Sequence, residues 1–205
     1  MDEGGREALE GSVRVLCDRG DHAAAATAAL RGYGGELFGF LVAVHRDEAE
    51  ANDVFSEVAE AVWRGLPAFG WNSTLRTWAY AIARNVSRTR RRNAGRRHRR
   101  APLAGESALE HVAQAVRTET LAFLRTEKRS RLVALRDSLE PEDRMLLVLR
   151  VDRKLAWREL ARVLAEDDGE LDEAALTREA ARLRKRFQTV KDRLRELARK
   201  EGLVD

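Results

Sequence analysis

The 205-residue sequence has little of several residue types: one cysteine, three prolines, two methionines and 6% aromatic residues. A single cysteine, Cys17, excludes an internal disulfide framework and indicates a reducing compartment. No apolar run approaches the roughly 20 residues that a membrane-spanning helix needs, and the acidic start MDEGG is unlike a signal peptide. These absences predict a cytoplasmic protein with no membrane segment.

The sequence patterns of catalysis and metal binding are missing as well. Cys17 and the four histidines (His22, His45, His98 and His111) lack the spacing of metal ligands. Neither a glycine-rich phosphate loop nor a nucleophile elbow is present. We therefore expect no enzyme activity, no metal and no cofactor.

Charge is what the sequence has in abundance. It contains 38 basic and 34 acidic side chains, for a formal net charge of +4. The two signs are unevenly distributed along the chain, which matters more for partners than the total does. Apolar residues recur at steps of three and four, strand-like alternation is absent and prolines are few, so we predict an all-α protein.

The helical patterns fall into two groups separated by an irregular basic stretch. This stretch, NAGRRHRRAPLAGES from residue 93, combines glycine, proline and dense charge with little periodicity, which is typical of a linker. We therefore predict two small helical domains. The expected ranges are an N-terminal extension (1–20) with helical spacing from Arg6 to Cys17, a first domain (21–92), a linker (93–131) with a weaker helical pattern, and a second domain (132–205) with an acidic insertion at about 165–175.

A strongly acidic helix is predicted over Asp47–Arg64, with Phe55, Val58 and Val62 facing inward. An acidic face beside a basic helix would repel nucleic acid, so it favours docking on a basic protein surface. A face that only keeps the protein soluble fits the composition equally well.

The stretch STLRTWAYAIARNVSRTRRR, residues 73–92, predicts a helix with aromatic rings near one end and arginines at the other. Trp78 and Tyr80 cannot both face the core with Ile82 and Val86, because neighbouring helical residues diverge by about 100° each. At least one ring is therefore expected to be exposed.

An exposed ring beside Arg84 and Asn85 would stack on unpaired bases, and the following arginines would attract phosphates. In the alternative, Trp78 packs on Trp71 or Trp63 and the tyrosine completes the core.

The last third of the chain predicts a short helix at about 156–165 and then a long amphipathic helix, an element order that matches a helix-turn-helix. The exposed face of the long helix carries a basic row that could read guanine edges. Its members are Arg178, Arg182 and Lys185, flanked by Arg184 and Arg186. The alternative is a solvated charge face interleaved with Glu179 and Asp192.

Together these segments resemble the sigma factors of bacterial RNA polymerase, the sigma-70 family, in the small extracytoplasmic-function type that keeps regions two and four. The resemblance covers about residues 20 to 92 and 132 to 200. In the acidic helix, ANDVFSEVAEAVW stands where the family usually shows Ala-Glu-Asp-Leu-Val-Gln-Glu leading to an aromatic residue and a Trp. Ser56 replaces the usual glutamine and Ala59 the usual aromatic residue.

The resemblance implies which residues bind which partner. The residues implied to bind the clamp helices of the largest polymerase subunit are Asp53, Val54, Ser56 and Glu57. The segment FGWNSTLRTWAYAIARNV resembles the part that captures unpaired DNA of the minus-ten promoter element. The residues implied to do so are Asn72, Ser73, Thr74, Thr77, Trp78, Tyr80, Arg84, Asn85 and Arg88.

The second domain is similar to region four. LEPEDRMLLVLRVDRKLAWRELARVL matches its first helices, and LRKRFQTVKDRL resembles the helix that reads duplex DNA at the minus-thirty-five element. About a dozen residues, many of them acidic, separate Leu164 from Leu176, where the family usually has a tight turn. The resemblance further implies the polymerase flap as a contact of this domain and an anti-sigma factor as a partner.

The sequence therefore predicts a sigma factor that directs promoter-specific initiation by core RNA polymerase. Two other interpretations stay open at this point. One is a helix-turn-helix regulator that binds duplex DNA without polymerase, and the other is a polymerase-binding protein that has lost promoter recognition through the acidic insertion.

Overall fold

The computed structural model of the protein describes residues 1–92, 106–126, 135–165 and 171–202. Within these residues the secondary structure is entirely helical, which confirms the predicted fold class. None of the described helices is long and apolar enough to cross a membrane. The chain divides into two compact units, Met1–Leu124 and Arg125–Asp205.

Unit 1 is built from helices that begin at side-chain caps. Asp2, Asp21 and Asp47 each accept a hydrogen bond from a backbone N–H in the first turn of the helix that follows. The helices are α1 (Glu3–Asp18), α2 (His22–His45), α3 (Glu48–Gly65), a 3₁₀ turn (Leu66–Ala68), α4 (Leu75–Arg92) and α5 (Glu106–Thr126). The expected helix from Arg6 to Cys17 is thus α1, and a 3₁₀ turn follows the acidic helix α3.

Helix α2 lies at the centre of unit 1 and packs against α1, α3 and α4. Its Phe38 packs on Phe55 of α3 with ring centroids 5.3 Å apart, and its Phe40 meets Tyr80 of α4 edge-on at 5.5 Å. Each ring is fully buried and contributes about 1.5–3 kcal/mol through removal from water. This core fixes the orientation of α3 and α4, which carry the candidate interface.

Unit 2 contains α6 (Pro141–Leu147), a π-helical turn (Val148–Asp152), α7 (Trp157–Leu164) and α8 (Glu173–Lys200). Pro141 is the first residue of α6, a position where a proline gives up no hydrogen bond. The buried guanidinium of Arg144 donates to the carbonyls of Asp137 (3.0 Å) and Leu139 (2.7 Å), which holds the preceding segment against α6.

The apolar stripe of α8 closes the core of unit 2. Val190 packs with Leu139 and Leu147, and Phe187 and Leu194 lie against this cluster half-buried. The order of α7 and α8 is that of the predicted helix-turn-helix. The expected start of the second domain at residue 132 and residues 166–170 of the acidic insertion lie outside the described residues, and the domain ranges stay a prediction.

Candidate polymerase and nucleic-acid interface

One arginine ties the acidic face of α3 to α4. The Arg90 guanidinium donates to three carboxylates that lie about one turn apart along α3. They are Glu50 (2.9 Å), Asp53 (2.7 Å) and Glu57 (2.5 Å). Three carboxylates against one guanidinium leave this face negative, and the Asp53 side chain keeps 66% of its surface exposed. The face can therefore attract a basic protein surface.

The other two expected polymerase contacts, Val54 and Ser56, differ from Asp53 and Glu57. Val54 is 0% exposed and belongs to the core of unit 1, so its side chain is not on the surface of α3, and the polymerase contact expected of it stays a prediction. Ser56 is half-buried, donates to the carbonyl of Asn52 (3.3 Å) and accepts from the Nη1 of Arg117 on α5 (2.7 Å). A helix from the expected linker range thus covers this position.

The loop 69–74 enters α4 through a threonine cap. The Thr74 Oγ1 accepts from the Thr77 backbone N–H (3.1 Å) and lies 2.8 Å from the Thr77 Oγ1. Ser73 donates to the carbonyl of Thr74 (3.2 Å), while the Asn72 side chain is exposed. These caps fix the start of α4.

The aromatic residues of the loop stack against α4. Phe69 stacks on Trp78 with centroids 4.7 Å apart and contacts Trp71 at 4.9 Å. Trp71 adopts a φ of +56°, a left-handed conformation that a bulky residue rarely takes. Trp78 thus stacks on Phe69, which also contacts Trp71.

Three residues that were expected to contact DNA lie on the buried side of α4. Tyr80 is 0% exposed, Thr77 2% and Arg84 8%. The Tyr80 ring lies against Phe40, and the Arg84 Nη1 donates to the Asn85 Oδ1 (2.8 Å). Burial contradicts a direct base contact by Tyr80 in this structure, and the tyrosine completes the core instead. Thr77 and Arg84 act from inside the unit, as a cap partner and as a support of Asn85.

The opposite side of α4 is half-exposed and carries the remaining candidates. Trp78, Ile82 and Asn85 are spaced by four and three, so they share one side of the helix. Val86 and Arg88 flank them and are also half-exposed. An apolar, aromatic strip edged by an amide and an arginine is suited to unpaired bases and their phosphates.

Helix α1 holds the aromatic loop, a role that the sequence did not reveal. The Glu10 Oε1 accepts from the Arg76 backbone N–H (3.3 Å), at the start of α4, and from the Tyr33 hydroxyl (3.0 Å). Burial and Glu10 raise the pKa of Tyr33. The Arg14 guanidinium lies over the Trp71 ring, 5.5 Å from its centroid. No local signal pointed to Glu10 or Arg14, because their partners lie 23 to 66 residues away.

Unit 2 exposes part of the predicted basic row. Arg178, Arg182 and Lys185 are exposed on one side of α8. Two flanking residues have partners inside the unit: the Arg184 guanidinium lies 5.7 Å from the Trp157 ring centroid, and Arg186 pairs with Asp143 (2.6 Å).

The first turn of α8 is acidic. Asp172 caps the helix by accepting from the Ala175 N–H (2.6 Å), and Glu173 pairs with Arg158 of α7. A recognition helix normally contacts DNA with its N-terminal residues, so the exposed basic row lies further along α8 than is usual.

Comparison with known proteins bears on both units. Residues 30–97 match the family model of sigma-70 region 2, a range that contains α3, the loop 69–74 and α4. The chain is 28% identical to the RNA polymerase sigma-H factor of Pseudomonas aeruginosa over 150 residues, which cover 71% of this chain and 77% of that protein. This alignment is longer than residues 30–97, so the similarity extends beyond region 2. Over residues 30–97 the chain is thus similar to sigma-70 region 2, and over 71% of its length it is similar to a bacterial sigma factor.

Proposed function

We propose that the protein is a sigma factor of the extracytoplasmic-function type, which binds core RNA polymerase in the cytoplasm and directs initiation at specific promoters. Sigma factors are non-catalytic subunits of RNA polymerase, in line with the expectation that the chain is not an enzyme. The family and the relative support the general activity. The promoter contacts and the polymerase contacts below are the proposed detail.

The half-exposed strip of α4 carries the proposal. Trp78, Ile82 and Asn85 form a surface on which unpaired bases of the minus-ten element stack, and each stacked base contributes about 1–3 kcal/mol. Asn72 extends this surface from the loop 69–74, and Arg88 holds a phosphate. Stacking stabilises bases once they leave the duplex, so strand opening needs no ATP in this mechanism.

The acidic face of α3 supplies the polymerase contact. Asp53 and Glu57 meet basic residues of the clamp helices. Arg90 of α4 forms ion pairs with both carboxylates and so competes with the polymerase for them. In unit 2, Arg178, Arg182 and Lys185 contact the duplex at the minus-thirty-five element, and the same unit binds the polymerase flap. An anti-sigma factor that covers these surfaces would keep the protein inactive.

Run-off transcription with purified core polymerase tests the proposal. The templates are promoter fragments selected from randomised DNA, and the proteins are the wild type, the double variant Trp78→Ala with Asn85→Ala, and Arg31→Ala as an exposed control on α2. We expect the wild type and the control to start transcripts at defined sites. The double variant should bind core polymerase and fail to open those sites.

The exposed basic row on α8 is the observation that favours the second candidate, a helix-turn-helix regulator. Such a regulator would retard duplex DNA by itself, would not bind core polymerase and would start no transcripts. A protein that binds core polymerase but starts no transcripts would have lost promoter recognition. Either result would overturn the sigma-factor proposal.

A further inference from the structure

Helix α5 packs against α2 and against α3, the helix that carries the polymerase-binding face. Within the part of α5 whose side chains are described, Ala113 is 0% exposed, Val116 8% and Arg117 7%. The Arg117 Nη1 donates to the Ser56 Oγ of α3 (2.7 Å), and its other nitrogens bond Gln114 and Glu110 within α5. These hydrogen bonds within α5 orient the Arg117 guanidinium toward α3.

Two glycines of α2 permit the close approach of α5. A Cβ atom added at Gly34 would lie 3.0 Å from the Val116 Cγ1, and one added at Gly35 would lie 3.3 Å from the Thr120 Oγ1. Both distances are shorter than ordinary van der Waals contact, so a larger residue would push α5 away. The glycine pair therefore has a packing role on the side of α2 that faces α5.

Small residues on α3 occupy the positions where the family pattern has large ones. Ser56 stands at the usual glutamine and contacts Arg117 directly. Ala59, one turn further along the same side of α3, stands at the usual aromatic residue and is 3% exposed. A larger side chain at Ser56 would project into the space that Arg117 of α5 occupies. The departure from the family pattern at Ser56 thus coincides with the covered side of α3.

The contact of α5 with α3 is polar, and few buried apolar side chains, Ala113 and Val116, are described on α5. A groove between the two helices is lined by Asn52, Asp53, Ser56, Gln114 and Thr118. Segments with few apolar contacts open at a small fraction of the global free energy of unfolding. Release of α5 exposes the Ser56 side of the acidic face and returns the Arg117 guanidinium to water.

We propose that α5 is an intramolecular cover of the Ser56 side of the polymerase-binding face of α3, beside the exposed Asp53, and that it leaves this side when core polymerase binds. This inference rests on the proposed function, since it assigns α3 to the polymerase. The covered state binds polymerase weakly, so the apparent affinity is lowered by the fraction of molecules that are covered. A cover closed in 90–99% of molecules weakens apparent binding by about 10- to 100-fold.

A matched pair of charge insertions on α5 tests the cover. Val116→Asp places a carboxylate in the buried contact with α2, while Ala115→Asp places the same charge on the exposed side of the same helix. Hydrogen exchange reports whether α5 is docked in the free protein. A titration of fluorescently labelled protein with core polymerase reports affinity. Arg117→Ala is a second, milder variant in case Val116→Asp unfolds unit 1.

We expect Val116→Asp and Arg117→Ala to lose hydrogen-exchange protection in α5 and to bind core polymerase at least about tenfold more tightly. Ala115→Asp should match the wild type in both measurements. Lost protection with unchanged affinity would overturn the cover and leave the proposed function intact. Absence of polymerase binding by the wild type and all variants would overturn the proposed function and the cover with it.

Discussion

At the scale of single residues, two aromatic side chains of α4 differ sharply in their surroundings. Tyr80 is fully buried against Phe40, while Trp78 is half-exposed beside the loop 69–74. Burial thus separates a core residue, Tyr80, from a candidate base contact, Trp78.

Substitutions at these two positions should therefore affect different properties: promoter opening for Trp78 and folding stability for Tyr80. Trp78→Ala should weaken open-complex formation by about 5- to 150-fold, the equivalent of about 1–3 kcal/mol of lost stacking. Tyr80→Phe keeps the packed ring and should transcribe like the wild type, while Tyr80→Ala should lower the free energy of unfolding by about 3–5 kcal/mol. Permanganate footprinting and chemical denaturation measure the two effects. If Tyr80→Phe opens promoters poorly, the Tyr80 hydroxyl contacts DNA after all.

His45 makes the stability of unit 1 depend on pH. Its Nε2 lies 3.0 Å from the Ser87 Oγ of α4. Burial lowers the pKa of His45 below its ordinary value of 6.5, and Arg91 and Arg90 lower it further, against an opposing effect of Glu50. The unfolded state then binds a proton at a higher pH than the folded state does. Stability is therefore full above about pH 6.5 and is lost as the pH falls through the lower folded pKa.

We expect the thermal midpoint of unit 1 to fall between pH 7.5 and 5.5 in the wild type. His45→Gln, which can still bond Ser87, should flatten the profile over this window. Differential scanning calorimetry at several pH values measures it. Equal slopes for the wild type and His45→Gln would show that another group is responsible.

At the scale of helices, Arg90 decides how much negative charge α3 presents. Its three partner carboxylates are partly exposed, so each ion pair contributes at most about 1 kcal/mol to stability. Its larger effect is to neutralise part of the face that polymerase would approach.

Arg90→Ala should accordingly raise the association rate with core polymerase by about two- to tenfold at low salt, and the gain should shrink as salt screens the charges. Arg92→Ala removes the same charge from an exposed position of the same helix and is the matched control. Stopped-flow fluorescence at several salt concentrations measures the rates. A slower association for Arg90→Ala would mean that Arg90 positions α3 for polymerase instead of competing with it.

At the scale of the whole molecule, each unit has a core of its own. Phe38, Phe55 and Tyr80 centre the core of unit 1, and Leu147 and Val190 that of unit 2. A unit with its own core is expected to fold separately.

The fragments 1–130 and 131–205 should thus fold independently, and each should show the unfolding transition that it has in the full chain. The smaller second fragment buries a smaller share of its surface and should unfold first. Circular dichroism and calorimetry of both fragments and of the full chain measure this. A second fragment without a cooperative transition would make its fold dependent on the first.

Local features of the sequence were enough to predict most helices. The acidic helix with Phe55, Val58 and Val62 inward and the long amphipathic helix α8 both appear in the structure. Helical periodicity, caps and prolines act over one or two turns, so residues that are close along the chain carry the information. The resemblance to the sigma-70 family likewise depended on short contiguous motifs.

Which side of each helix is buried was decided by the tertiary structure alone. Periodicity showed that Trp78 and Tyr80 diverge, but only Phe40, 40 positions earlier, places Tyr80 in the core. The pairing of Arg90 with α3 and the packing of α5 over Ser56 likewise join residues 33 to 61 positions apart. A sequence pattern defines the two sides of a helix, whereas contacts between distant segments determine which side meets the core and which meets a partner.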